Sequence, residues 1–213
     1  MLIDDDAVLW SAPAAERAGR PLLVLLHGYD LDEHQLFDRA VSLTSEPVIA
    51  ALRAPLVADT GYAWYEIGTT RTWAQMSEDA QRVAAEVVEW IDRVAPEASS
   101  VALAGFSQGG AITMEAMRRA PDRFAFAVLL SSTVMQFPRP GDARLAERRP
   151  PVLWARGTAD TVLAAIRIRT TTAFLDEHTD VDARLYEGLD HSVSDEEMAD
   201  LGVWLRARYA DGR

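Results

Sequence analysis

Short apolar runs alternate with amphipathic stretches along most of this chain. Pro21 to Leu26, Val48 to Arg53, Ser100 to Gly105, Phe124 to Leu130, Val152 to Arg156 and Ala183 to Tyr186 read as buried strands, because each is short, apolar and bounded by turn residues. Between Ser77 and Val94 apolar residues recur at helical spacing, at Ala80, Val83, Ala84, Val87, Val88 and Ile91, and Pro96 stops the run. Further helices are expected over Gln108 to Ala120, Ala164 to His178 and Asp195 to Tyr209, and Ala7 to Trp10 reads as an antiparallel edge strand. Strand and helix in alternation predict an α/β architecture, a mostly parallel central sheet with helices on both faces. The Pro- and Arg-rich stretch from Pro138 to Pro151 reads as a surface loop, not a domain linker. A single domain over residues 1–213, with no separate lid domain, is the expectation.

Composition narrows the function classes. The chain carries 33 acidic and 21 basic residues, a net charge of -12, which would repel nucleic acid and anionic membrane at long range. Every basic residue is arginine, so a Schiff-base lysine is excluded. Cysteine is absent, which removes disulfides, thiolate metal sites and cysteine nucleophiles. The acidic start, Met1 to Asp6, lacks the basic-then-apolar form of a secretory signal, and the apolar runs are far shorter than a membrane span. A cytoplasmic location is therefore expected.

One run carries chemistry. Gly105-Phe-Ser-Gln-Gly109 places Ser107 between an apolar strand and a helix, with glycine two residues away on each side. That is the pattern of a nucleophile elbow, a strained turn that lifts a serine hydroxyl above the sheet edge. Side chains at the flanking positions would collide with neighbouring backbone, and glycine removes the collision. A serine hydroxyl needs a base, and the base needs an orienting carboxylate. Of the two histidines that follow Ser107, His191 lies in the loop after the last strand, at the same sheet edge, whereas His178 ends a helix. Asp160, just after the strand Val152 to Arg156, is the expected carboxylate, with Asp190 capping a turn or the next helix. Acyl transfer also needs two amide donors for the oxyanion. Gln108, which opens the helix after the nucleophile, supplies one, and Tyr29, in the turn His27-Gly-Tyr29, supplies the other. His27 reads as a buried turn histidine and His34 as a surface helix residue. Tyr29, Trp64, Val134, Met135, Val162 and Leu163, all on loops at the carboxyl edge, are the expected pocket walls.

With these residues in hand, the chain resembles the carboxylesterase/phospholipase/acyl-protein thioesterase group of the α/β-hydrolase superfamily. Leu25-Leu-His-Gly28, Gly105-Phe-Ser-Gln-Gly-Gly110, Gly157-Thr-Ala-Asp160 and Gly188-Leu-Asp-His191 are similar to its oxyanion turn, nucleophile motif, acid loop and histidine loop. Arg53-Ala-Pro55 and Trp64-Tyr-Glu66 are similar to a paired motif beside its acyl pocket. The chain departs from the family pattern at Gly28-Tyr-Asp-Leu31, Tyr65-Glu66, Arg156 and Leu163-Ala164. The resemblance implies an α/β-hydrolase fold and a serine hydrolase that needs no cofactor or metal. Its triad would be Ser107, Asp160 and His191, its oxyanion hole the Tyr29 and Gln108 amides. Its substrates would be short- to medium-chain acyl esters, or thioesters or lysophospholipids on the same triad. A non-catalytic binding module is the rival expectation, and the sequence leaves a homodimer open.

Overall fold

The computed structural model describes residues 3–210. Seven strands form one sheet in the order β1 (Leu9–Trp10), β3 (Val48–Leu52), β2 (Leu22–Leu26), β6 (Val101–Phe106), β7 (Ala127–Leu130), β8 (Pro151–Gly157), β9 (Asp180–Tyr186). All neighbours are parallel except β1, which runs antiparallel to β3 at the edge. β4 (Leu56–Val57) and β5 (Tyr62–Ala63) make a separate small hairpin.

Alternation along each strand divides the core in two. In β2, Leu22, Val24 and Leu26 face one side, while Leu23 and Leu25 face the other. The first face is covered by α2 (Trp73–Val94), α3 (Gln108–Arg119) and α5 (Ala165–His178), and also packs Leu145 of α4 (Asp142–Arg148). The second is covered by α1 (His34–Ala40) and α6 (Asp195–Ala210), through Leu36, Met198, Leu201 and Trp204. Both faces of the central strands are therefore dry, which explains why β2, β3 and β6 read as continuous apolar runs.

Several elements differ from the sequence expectation: β7 begins at Ala127, not Phe124, β9 begins at Asp180, not Ala183, and the β4–β5 hairpin is new. α2 begins at Trp73, because Thr72 and Gln75 form a reciprocal capping box that satisfies the first free amides upstream of Ser77. The stretch read as a loop from Pro138 to Pro151 contains α4, pinned by fully buried Leu145 and by Asp142, which accepts from Arg118 Nε at 2.6 Å.

The chain runs from β2 to β3 on one side and then returns to lay β6 on the other side of β2. Strand order thus reverses between β2 and β6, and the loops leaving their carboxyl ends diverge there and open a crevice. The turn after β2 carries Tyr29, and the turn after β6 carries Ser107. No separate lid domain covers this edge among the described residues, and no helix there is long and apolar enough to cross a membrane.

Candidate active site

Ser107 sits at φ 51°, ψ -113°, a conformation L-residues rarely adopt. Its amide donates to Leu130 O at 2.9 Å, and its carbonyl accepts from Ser132 Oγ at 2.7 Å. The flanking glycines are steric requirements: a Cβ on Gly105 would lie 2.4 Å from Gly109 C, and one on Gly109 only 2.1 Å from Leu26 O. The elbow is wedged against both the following helix and the end of β2.

The structure brings Ser107, His191 and Asp160 together in one hydrogen-bonded line. Ser107 Oγ lies 2.9 Å from His191 Nε2, and His191 Nδ1 lies 2.7 Å from Asp160 Oδ2. The other Asp160 oxygen accepts from the amides of Val162 at 2.9 Å and Leu163 at 3.1 Å, so the carboxylate, with no exposed surface, is fixed at both ends. With Asp160 ionised, Nδ1 carries the imidazole proton and Nε2 is left as an acceptor for the serine hydroxyl. The acid and histidine loops are joined by backbone bonds from Thr158 N to Tyr186 O and from Ala159 N to Leu189 O, at 2.9 and 3.0 Å. Gly157 permits this closeness, since a Cβ there would fall 1.9 Å from Leu189 O. From behind, Arg39 on α1 donates to Val193 O and Ser194 O, tying the histidine loop to the opposite layer. Asp190, as expected, closes a local turn by accepting from the Ser192 hydroxyl.

The turn after β2, expected to supply the Tyr29 amide, is held by a second network. His27 is buried; its Nε2 accepts from Ala54 N at 3.0 Å, so Nδ1 is the nitrogen that donates to Gly28 O at 2.7 Å. Burial lowers the His27 pKa from its ordinary value, which keeps this neutral tautomer. Gln35 accepts from Gly28 N, and Asp30 accepts from the amides of Thr60 and Gly61. Amid this saturation, the amides of Tyr29 and Gln108 have no hydrogen-bond partner among the described residues, and both residues line the cleft that contains Ser107.

That cleft measures about 130 Å³ and is lined by Tyr29, Tyr65, Ile67, Trp73, Leu163 and Arg167, together with Ser132 and Thr133. Of the expected wall residues, Tyr29 and Leu163 are there. Trp64 is not: it is fully buried, with its indole N–H donating to His27 O at 2.7 Å and its amide to Gln108 Oε1 at 2.7 Å. It braces the oxyanion turn from beneath. Val134 and Met135 also lie in the core, drawn inward where Thr171 Oγ1 accepts from Val134 N and Arg118 donates to Met135 O. Val162 points to solvent, 64% exposed, because the turn that caps Asp160 rotates it away from Leu163. Sequence reasoning named Tyr65 only within the motif beside the acyl pocket, and missed Ile67, Trp73, Thr133 and Arg167. For Arg167 a signal existed: with Thr171 and Leu175 it forms the inward stripe of α5 at intervals of four.

A larger cleft of about 190 Å³, lined by Trp10, Arg17 and Val94 among others, opens where β2 and β3 begin, at the opposite sheet edge. Among the described residues, no group of three or more His, Cys, Asp or Glu side chains is placed to hold a metal ion.

The sheet order, the strained serine and the chain order Ser, Asp, His together define a member of the α/β-hydrolase class. The chain belongs to the phospholipase/carboxylesterase family, whose model matches residues 12–208. It is 28% identical over 117 residues to carboxylesterase SOBER1 of Arabidopsis thaliana, a match covering 51% of this chain and 49% of that protein. The matched stretch thus spans about half the length of that curated relative. Its fold is shared with the carboxylesterase from Mesorhizobium loti, at a TM-score of 0.75 and 24% identity over 97% of this chain and 98% of that one. Acyl-protein thioesterase 2 of Zea mays superposes with a TM-score of 0.74 and 19% identity, covering 94% of this chain and 98% of that one.

Proposed function

We propose that this protein is a serine carboxylesterase acting on small acyl esters through an acyl-enzyme. The observation that carries this reading is the unbroken line from Ser107 Oγ through the His191 imidazole to the enclosed Asp160 carboxylate, at 2.9 and 2.7 Å. In the first step Ser107 Oγ attacks the ester carbonyl while His191 Nε2 takes its proton. Asp160 stays ionised and stabilises the imidazolium. The carbonyl oxygen becomes an oxyanion facing the Tyr29 and Gln108 amides, where each donor in such a site contributes about 2.7–4 kcal/mol to the barrier reduction. His191 then gives its proton to the leaving alkoxide. Water, deprotonated by the same imidazole, attacks the acyl-enzyme; the acid departs and Ser107 regains its proton.

The cleft supports a short acyl group, since about 130 Å³ is well below the several hundred typical of sites for larger ligands. The test is labelling by a fluorophosphonate probe together with turnover of 4-nitrophenyl butyrate. Wild type should react with both. Ser107→Ala should lose labelling and about 10⁴-fold or more in kcat, with an unchanged circular dichroism spectrum. A folded wild type that neither labels nor turns over any acyl ester or thioester would leave a binding module as the better reading.

A further inference from the structure

Two guanidinium groups in this protein are buried in opposite ways. Arg118 on α3 is 1% exposed and fully partnered: it donates to Glu115, to both oxygens of Asp142, and to the carbonyls of Met135 and Phe137, all at 2.6 to 2.8 Å. Arg167 on α5 is 9% exposed, yet among the described residues it pairs with no carboxylate. Among the described residues its Nε has no acceptor, and one terminal nitrogen reaches Thr133 Oγ1 at a long 3.4 Å. The guanidinium plane is stacked on Trp73, with its central carbon 3.3 Å from the ring centroid, which fixes its position without satisfying its N–H groups.

Burying a cation without an anion is costly, and the cost shows as a pKa pushed down by burial to about 10. The group is still charged at neutral pH. Arg167 lines the cleft that holds Ser107, and so do Trp73, Thr133 and Tyr65. Burial raises the Tyr65 phenol above its ordinary value, so it remains a protonated donor beside the guanidinium. The cleft therefore contains a planar cation with unused N–H groups and two hydroxyl-bearing side chains, together with the nucleophile.

We propose that Arg167 is a specificity determinant that selects esters bearing a free carboxylate, which its guanidinium grips while Ser107 attacks the ester carbonyl. This rests on the serine-esterase reading above and adds a substrate class to it. The carboxylate completes the charge pair that the fold omits, and the planar fork suits its two oxygens. The surrounding protein is acidic, with a net charge of -12, so capture of an anion depends on this local group and not on long-range attraction.

The test compares kcat/KM for 4-nitrophenyl butyrate, mono-4-nitrophenyl glutarate and 4-carboxyphenyl butyrate, each corrected for uncatalysed hydrolysis. The last two place the carboxylate on the acyl and leaving halves respectively. For wild type, one of the two should exceed the neutral ester by about tenfold or more. In Arg167→Gln that ratio should collapse toward one, Arg167→Lys should retain part of it, and the exposed neighbour change Arg169→Gln should leave it intact. The ratio is the readout, since a merely structural arginine would depress all three substrates together. A wild type without preference, or an Arg167→Gln that keeps it, overturns the proposal even while neutral-ester turnover and fluorophosphonate labelling stand. Absence of both those activities would instead overturn the esterase reading. Should Arg167→Gln fail to fold, inhibition of wild type decides: 4-carbamoylbutanoate, which bears a carboxylate, should compete at least tenfold more tightly than the neutral butyramide, and equal inhibition overturns the proposal.

Discussion

The rim that carries Ser107, Asp160 and His191 and the wall of the cleft beside it are built on different principles. On the rim, backbone groups and short polar side chains hold one another: Ser107 N to Leu130 O, Ala159 N to Leu189 O, two amides onto one Asp160 oxygen. Glycines at 105, 109 and 157 allow contacts that a single methyl would forbid. The wall has little of this. Ile67 and Trp73 are about half exposed, and the wall's one buried charge, Arg167, is stacked but not paired. Where atoms must meet within a few tenths of an ångström, the fold uses local, mutually bonded backbone. Where a substrate must be admitted, it leaves side chains from separate elements with bonds unmade. Chemistry and selectivity should therefore respond differently to substitution.

The sharpest way to test the rim is Asp160→Asn. The amide oxygen can still accept from Val162 and Leu163, so the loop should keep its shape, but the NH₂ now faces His191 Nδ1 and favours the wrong tautomer. We expect kcat for 4-nitrophenyl butyrate to fall about 10⁴-fold with little change in Tm. A loss under about tenfold, measured on folded protein, would mean that the line from Asp160 to Ser107 is not the working one. Gln108→Leu should follow in size. The Gln108 side chain accepts from Trp64 N and donates to Tyr65 O, both at 2.7 Å, so leucine leaves two buried backbone groups unpaired. At roughly 1–3 kcal/mol for each, Tm should fall by about 5 °C or more, and kcat should fall with it as the oxyanion turn loosens. An unchanged Tm would show that the bracing of the turn comes from elsewhere.

The same contrast explains what could be read from the sequence. Ser107, Asp160 and His191 each follow a strand and are set off by glycine, and the requirement that a nucleophile, base and acid share one sheet edge left few candidates. The edge strand at Trp10 and the inward face of α2 were equally visible, α2 because burial on one side leaves a period in the sequence; α3, buried on nearly every side, was legible only from the elbow that opens it. The cleft wall was not, since residue type does not distinguish a wall from a core. Trp64, Val134 and Met135 have the side chains of a pocket lining, and it is long-range partners, His27 O, Thr171 Oγ1 and Arg118, that draw them or their backbone inward. Arg167 is hidden for another reason: among 21 arginines, an inward-facing one looks like any solvated charge until Thr171 and Leu175 are aligned beneath it. α4 escaped notice because its seven residues expose one apolar side chain to the core, Leu145, too few for a period.

One residue behind the rim blurs the contrast, and its titration measures by how much. Glu197, in the first turn of α6, is 1% exposed, and neither carboxyl oxygen has a hydrogen-bond partner among the described residues. Burial raises its pKa from 4.5 to about 7, against the opposing pull of the nearby Ser194 backbone and the Arg39 charge. Between those two values the folded protein retains a proton that the unfolded chain has released, so stability from this group is full below the lower value and is lost as pH rises through the upper one. Glu197→Gln keeps the shape without the ionisation. Its Tm should match or slightly trail wild type near pH 5 and exceed it near pH 8, by about 2 °C or more. Wild type and variant curves that run parallel across that range would mean Glu197 ionises freely. In that case the scaffold behind His191 would be as fully satisfied as the bonds in front of it, and the unpaired charge in the cleft wall would stand alone.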